Sequence, residues 1–170
     1  SMRDWSLSIA DLGLVPTGES MAVLPKLELA GTFGPDSADL SRLSIEDKIS
    51  AVSGKASISY SLAEPWTARV VASLSASGDA KPSVPLESYK IDASYSKGRI
   101  QGVVDLVASP LARLGKLPLS GSADGRIAVK GDPADPSVDF RLALRDGRYL
   151  DQTIVLGASG SYGGGLLELR

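Results

Sequence analysis

Residues 138–156 read VDFRLALRDGRYLDQTIVL. On an extended chain Val138, Phe140, Leu142 and Leu144 share one side, and Asp139, Arg141 and Arg145 share the other. Alternation with period two is the mark of a strand with one covered face. Asp146-Gly147 is a strong two-residue hairpin signal and predicts that the chain reverses there. Such a turn sets Leu144 opposite Tyr149 and Leu142 opposite Asp151, which puts a carboxylate on the apolar side. The run from Thr153 to Leu156 reads in either phase, so the hairpin is expected to be bulged near Asp151 or joined more loosely. The apolar side could face a closed core, a membrane or a lipid.

The same pattern recurs along the chain. Trp5, Leu7 and Ile9 alternate with polar residues, as do Leu27, Leu29, Gly31 and Phe33 after Pro25. Further runs are Ala56, Ile58, Tyr60 and Leu62, then Ala68, Val70, Ala72, Leu74 and Ala76, then Tyr89, Ile91, Ala93 and Tyr95. Ile100, Gly102, Val104 and Leu106 form the next run, and Ile127 and Val129 a short one. The segments SGDAKPSVP, SKG, GSADG, KGDPADP, RDG and GGG supply turn chemistry between them. The expectation is an all-β chain of about ten strands, mostly antiparallel neighbours.

Two segments break the pattern. Residues 36–49 (DSADLSRLSIEDKI) suit either a helical turn or a strand carrying Leu43 and Ile45. In residues 108–117 (ASPLARLGKL), Ser109 and Pro110 suit a helix start, and Leu111, Leu114 and Leu117 share one face. One or two helical turns are expected, with Gly115 ending them early. Asp124-Gly125-Arg126 and Asp146-Gly147-Arg148 form a faint repeat of two copies, too few to predict a solenoid.

Composition narrows the function classes. The chain has 170 residues, enough for one domain with its own core, and a formal net charge of −2. No basic excess is available to neutralise phosphates, which argues against nucleic acid as a partner. There is no cysteine, so no disulfide or thiolate chemistry, and no histidine, the commonest general base and zinc ligand. Ser1-Met2 reads as the scar of a cleaved tag, leaving residues 3–170 as one segment of a longer protein.

Ser-His-Asp and Cys-His nucleophile systems are excluded by composition. The glycines of GSYGGGLLEL (residues 160–169) lack the lysine and helix of a phosphate loop, so a hairpin turn is expected there. The pairs Glu46/Asp47, Asp132/Asp135 and Asp146/Asp151 sit in or beside turn segments, where aspartate reverses the backbone. The expectation is no enzyme, no metal and no cofactor.

The polar strand faces carry Ser, Lys, Arg and Asp, as a solvent-facing sheet does. The apolar faces are rich in small residues: Gly31, Ala56, Ala68, Ala72, Ala93 and Gly102. A packed β-sandwich usually fills its interior with bulkier groups, whereas a sheet curled around an apolar channel tolerates small ones. An outer-membrane barrel shares the alternation. Its aromatic girdles are missing, however, and the strands look shorter than the ~9–11 residues a spanning strand needs.

Residues 111–162 resemble a known family. A leucine-rich helical segment (Leu111 to Leu117) precedes a strand opening on Leu119-Ser120-Gly121 and a Lys130-Gly131 step. A loop marked by Pro133 and Pro136 follows, then an alternating strand ending in Leu144 to Tyr149. That order is similar to the repeating region of the TamB proteins, the inner-membrane subunits of the translocation and assembly module, within the AsmA-like group. Asp139 stands where the family pattern has a glycine. The match covers about fifty residues, and the first hundred agree only in style.

The resemblance implies a β-taco, a long curled sheet open along one edge with a hydrophobic interior. It also implies a periplasmic location in a diderm bacterium, in a parent anchored in the inner membrane. The implied partners are a phospholipid or other acyl-chain ligand and, through the parent, the outer-membrane barrel of the module. The expected groove walls are Ile58, Leu62, Val70, Leu74, Ile91, Val104, Leu106, Val129, Phe140, Leu142 and Leu144, with head groups left in solvent at the open edge. Two other readings stand beside it: a structural sandwich or solenoid module of a surface protein, such as an adhesin, and a chaperone segment adding a client strand to a sheet edge.

Overall fold

The structure, a computed structural model, describes residues 6–14, 26–47, 49–76, 86–114, 120–149 and 152–169. They form one antiparallel sheet of twelve strands that does not close into a barrel. The strands are β1 (Leu7–Leu14), β2 (Lys26–Phe33), β3 (Ser37–Glu46), β4 (Ala51–Ser61), β5 (Thr67–Ala76) and β6 (Ser88–Ser96). They continue with β7 (Arg99–Pro110), β8 (Ser120–Asp132), β9 (Asp135–Tyr149), β10 (Gln152–Ile154), β11 (Gly157–Gly163) and β12 (Leu166–Leu169). Spatial order follows chain order, except that β10 and β11 both pair with β9, and β12 pairs with β11. Among the described residues the main contacts join hydrogen-bonded neighbours, and no second sheet lies across the first. The fold is therefore all-β, as the alternation predicts, and the open sheet fits the curled sheet that the resemblance implies, not a two-sheet sandwich.

Strand lengths differ from expectation. β3 to β9 run from nine to fifteen residues, long enough by themselves to span a bilayer. Shortness is thus no argument against a barrel; the open edges at β1 and β12 are. The strands looked short because several turn-like segments lie inside them. GSADG falls within β8, and Asp146-Gly147 falls within β9.

Asp146-Gly147 is therefore not a hairpin turn. Arg145 pairs with Ser122 and Arg148 with Ser120, so Asp146 and Gly147 together face the single residue Gly121. This is a β-bulge, with Asp146 at φ 51° and Gly121 at φ 116°. The reversal comes later, and Tyr149 pairs with Gln152 instead of Leu144. Asp151, the expected site of irregularity, lies outside the described residues.

Other turns form where the sequence signals them. Lys97-Gly98 closes β6–β7 with φ values of 51° and 75°, and Gly164-Gly165 closes β11–β12 with 57° and 77°. Both residues of a type I′ turn need positive φ, which glycine adopts freely. The described residues of segment 36–49 hold β3 and no helical turn. The helical spacing of Leu40 and Leu43 arises because β3 slips register between them, which leaves both on one face. The expected helix is a single 3-10 turn, Leu111–Leu114. Leu111 is buried against Leu106 and Ala123. Leu117 and the SGDAKPSVP segment lie outside the described residues.

Candidate functional site: an unbroken apolar face

Register converts the alternation into rows that cross the sheet. One row runs Ile9, Gly31, Leu40, Ala56, Ala72, Ile91, Val104, Ile127, Phe140, Gly160 and Leu169, each the backbone partner of the next. A parallel row runs Leu7, Phe33, Ala38, Ile58, Val70, Ala93, Gly102, Val129, Val138, Tyr162 and Leu167. Neither row contains a charged residue. At ~4.8 Å per strand, each crosses about 48 Å of sheet.

Ten of the eleven expected wall residues lie on this face. Ile58, Val70, Ile91, Val104, Val129, Phe140, Leu142 and Leu144 are half-buried, and Leu74 and Leu106 are buried. Leu62 does not join them: β4 ends at Ser61, and Leu62 is 80% exposed in the hairpin beyond. Several wall residues escape a sequence reading. Leu40 and Leu43 pack with Ala56, Ala72 and Ile91 in one cluster, and the bulge in β3 disguised their period. Tyr162, Leu167 and Leu169 carry the face to the edge strand, where all three are exposed. β12 is only four residues long, too short for a periodic signal.

The small residues of the face have a structural role. A Cβ built on Gly54 would stand 1.8 Å from the Ser73 carbonyl oxygen, and one on Gly125 would stand 2.2 Å from that of Arg141. Neighbouring backbone occupies the space that a side chain would need. The glycines thus permit a close, sharply curled approach of strands, instead of leaving volume for a ligand.

The two ends of the face are closed differently. At one end Glu87, buried at the start of β6, accepts hydrogen bonds from Ser50 (2.6 Å) and the Tyr89 hydroxyl (2.7 Å); Tyr89 also meets the Ser109 hydroxyl at 2.8 Å. The other end has tight turns, and there Trp66 stacks on Tyr95 with ring centroids 4.4 Å apart.

Between the two bulges that flank β8, Asp124 links three strands. Its Oδ1 accepts the Ala108 N–H at 2.7 Å, where β7 slips register and Ala108 sits at φ 50°. Its Oδ2 accepts from Arg145 Nε at 3.0 Å and is paired with the same guanidinium's Nη2. Burial pushes the Asp124 carboxyl up. The Arg145 hydrogen bonds, the Ala108 N–H and the Arg145 charge outweigh that and hold it below the usual carboxylate value.

The opposite face is hydrophilic and exposed. Cross-strand pairs join Arg69 to Asp92 (2.8 Å), Arg126 to Asp105 (3.3 Å) and Lys130 to Asp139 (3.6 Å). A cleft of about 1150 Å³ opens on this side, among residues that include Lys55, Val71, Lys90, Asp92, Val103 and Arg126. A twisted sheet is saddle-shaped and has a hollow on each side. Exposure distinguishes the two here: the Arg69 and Asp92 side chains keep more than half their surface in solvent, whereas the apolar residues are largely covered.

Among the described residues no group of acidic side chains is arranged to hold a metal, and no helix is long and apolar enough to cross a membrane. Comparison with protein-family models, curated proteins and solved structures returns no match.

Proposed function

We propose that the apolar face is a segment of a conduit for acyl chains, carrying phospholipid between the inner and outer membranes and supporting outer-membrane protein assembly. On this reading the chain is a TamB-like, AsmA-like β-taco segment, acting in the periplasm as part of a parent anchored in the inner membrane. It is not an enzyme and needs no cofactor. Its partners are phospholipid and, through the parent, an outer-membrane barrel.

The observation that carries this reading is the pair of uncharged rows crossing the sheet from β1 to β12. An acyl chain of about sixteen carbons meets a gross penalty on the order of 10 kcal/mol on entering water, at ~0.8 kcal/mol per CH₂. A surface that stays aliphatic throughout removes most of that barrier. Between Ile58 and Val138 the second row is half-buried, except for the more covered Gly102, and so leaves contact area for a chain. No buried side-chain polar atom among the described residues lacks a partner, so the face offers no polar anchor that would trap cargo.

The test is site-specific photo-crosslinking in cells. A crosslinker replacing Val104 or Leu142 is expected to capture phospholipid, and one replacing Arg141 on the hydrophilic face is not. Capture from Arg141 alone, or the absence of co-purifying lipid by extraction and mass spectrometry, refutes the conduit and favours a structural module.

A further inference from the structure

The hydrophilic face is ordered in its charge. One of its rows runs Lys55, Ser73, Lys90, Asp105, Arg126 and Arg141, each the backbone partner of the next. The neighbouring row runs Asp39, Ser57, Val71, Asp92, Val103, Ala128 and Asp139 in the same way. The acids of the second row are engaged: Asp39 by Ser57 (2.6 Å), Asp92 by Arg69 and Asp139 by Lys130. In the first row Arg126 pairs with Asp105, but Lys55, Lys90 and Arg141 have no ionic partner among the described residues. The cationic excess therefore lies along one line across the strands, with Lys55 and Lys90 inside the cleft.

Within the cleft Lys55 and Lys90 flank β5, and Val71 and Val103 of the neighbouring row stand beside them on either side of Asp92. Val71 is 45% exposed. Lys55 and Lys90 lie two strands apart, about 10 Å. A polypeptide in the polyproline II conformation covers that distance in three residues at ~3.1 Å each, and its first and fourth side chains stand on the same side.

We propose that this cleft docks an extended acidic segment of a partner protein, with carboxylates at every third position set on Lys55 and Lys90 and aliphatic side chains on Val71 and Val103. The aspartates of the cleft select against densely charged polyanions. A nucleic-acid strand or an anionic bilayer would bring negative charge onto Asp92 and Asp105 as well as onto the lysines. A peptide with sparse carboxylates matches the row without that repulsion. The site is on the side of the sheet opposite the apolar face and does not depend on what that face carries.

The probe is a fluorescein-labelled peptide of Glu-Ala-Val repeats, followed by anisotropy, with a Gln-Ala-Val peptide as the uncharged control. The Glu peptide is expected to bind about tenfold more tightly than the control and to lose that advantage in high salt. Lys55→Glu with Lys90→Glu should weaken it by about tenfold or more, and Lys55→Gln with Lys90→Gln by less. Lys97→Glu, at a hairpin tip outside the row, should leave binding unchanged, and circular dichroism should show the sheet intact throughout. Equal binding of the two peptides overturns the proposal, as does indifference to the Lys55 and Lys90 changes. Preferential binding of oligothymidylate or phosphatidylglycerol vesicles that displace the peptide also overturns it.

Discussion

Gly54→Ala tests whether curl depends on backbone contact between strands. The added Cβ would lie 1.8 Å from the Ser73 carbonyl oxygen and 3.0 Å from the Leu74 Cα; the first is more than an ångström inside the 3.0 Å that real Cβ atoms keep. Both obstacles are backbone, so no rotamer change relieves them. β4 and β5 must part locally, at the cost of about two ladder hydrogen bonds worth ~1 kcal/mol each. Overpacking adds 1–3 kcal/mol, and the lower entropy of the unfolded chain returns ~0.4–1 kcal/mol. The expected loss is about 3 kcal/mol, which at a urea dependence of ~2 kcal/mol/M lowers the midpoint by roughly 1.5 M. Gly157→Ala is the control. Its Cβ would meet only the Leu142 carbonyl oxygen, at an ordinary 3.9 Å, and the midpoint should stay within a few tenths of a molar unit. If Gly54→Ala behaves like Gly157→Ala, the strands do not approach as described, and the small residues of the face need another explanation.

Asp124→Asn should cost about 1–2 kcal/mol in the same assay, because it weakens the link between the two bulges. The Asp124 carboxyl is held below its unfolded value, so its contribution is complete above about pH 4 and is lost as pH falls through the lower folded value. The variant should therefore show a shallower acid limb in a pH titration of stability, and an unchanged limb refutes the assignment. Leu111→Ala removes a buried side chain from the cluster of Leu106 and Ala123 and should cost about 2–3 kcal/mol. Glu87→Ala removes the buried carboxylate that accepts from the Ser50 and Tyr89 hydroxyls and should cost about 2–3 kcal/mol by denaturation. Trp66→Ala, which removes the stack on Tyr95, should cost about 1 kcal/mol, with most of the loss recovered by Trp66→Phe.

The faces of the strands were legible because alternation is local. Ile58, Val70, Val104 and Leu142 could be assigned to one side without knowing any partner. What was not legible depended on pairing. Asp146-Gly147 is a turn dipeptide and also a bulge dipeptide, since the turn needs positive φ at both residues and the bulge at Asp146 alone. Only Gly121 on the neighbouring strand distinguishes the two, and it lies twenty-five residues upstream of Asp146. Leu40 and Leu43 looked helical for the same reason, because a slipped register produces a spacing of three. The row through Lys55 and Lys90 was invisible because the two residues are neighbours only across β5. Of the two glycines noted on the apolar faces, Gly31 lies against the backbone of Asp39 and Gly102 against the side chains of Ala93 and Val129, contacts that depend on pairing and so were not legible.

Because almost every strand bonds only to the strands next to it in the chain, the fold carries its own unit of growth. Inserting or deleting one hairpin leaves every other register intact, keeps the chain direction of the following strands, and changes the span by about 9.6 Å. A single strand gained or lost would instead reverse all that follows and exchange the tight-turn end for the loop end. A lineage of such sheets can therefore vary its reach in two-strand steps without redesigning any existing pair.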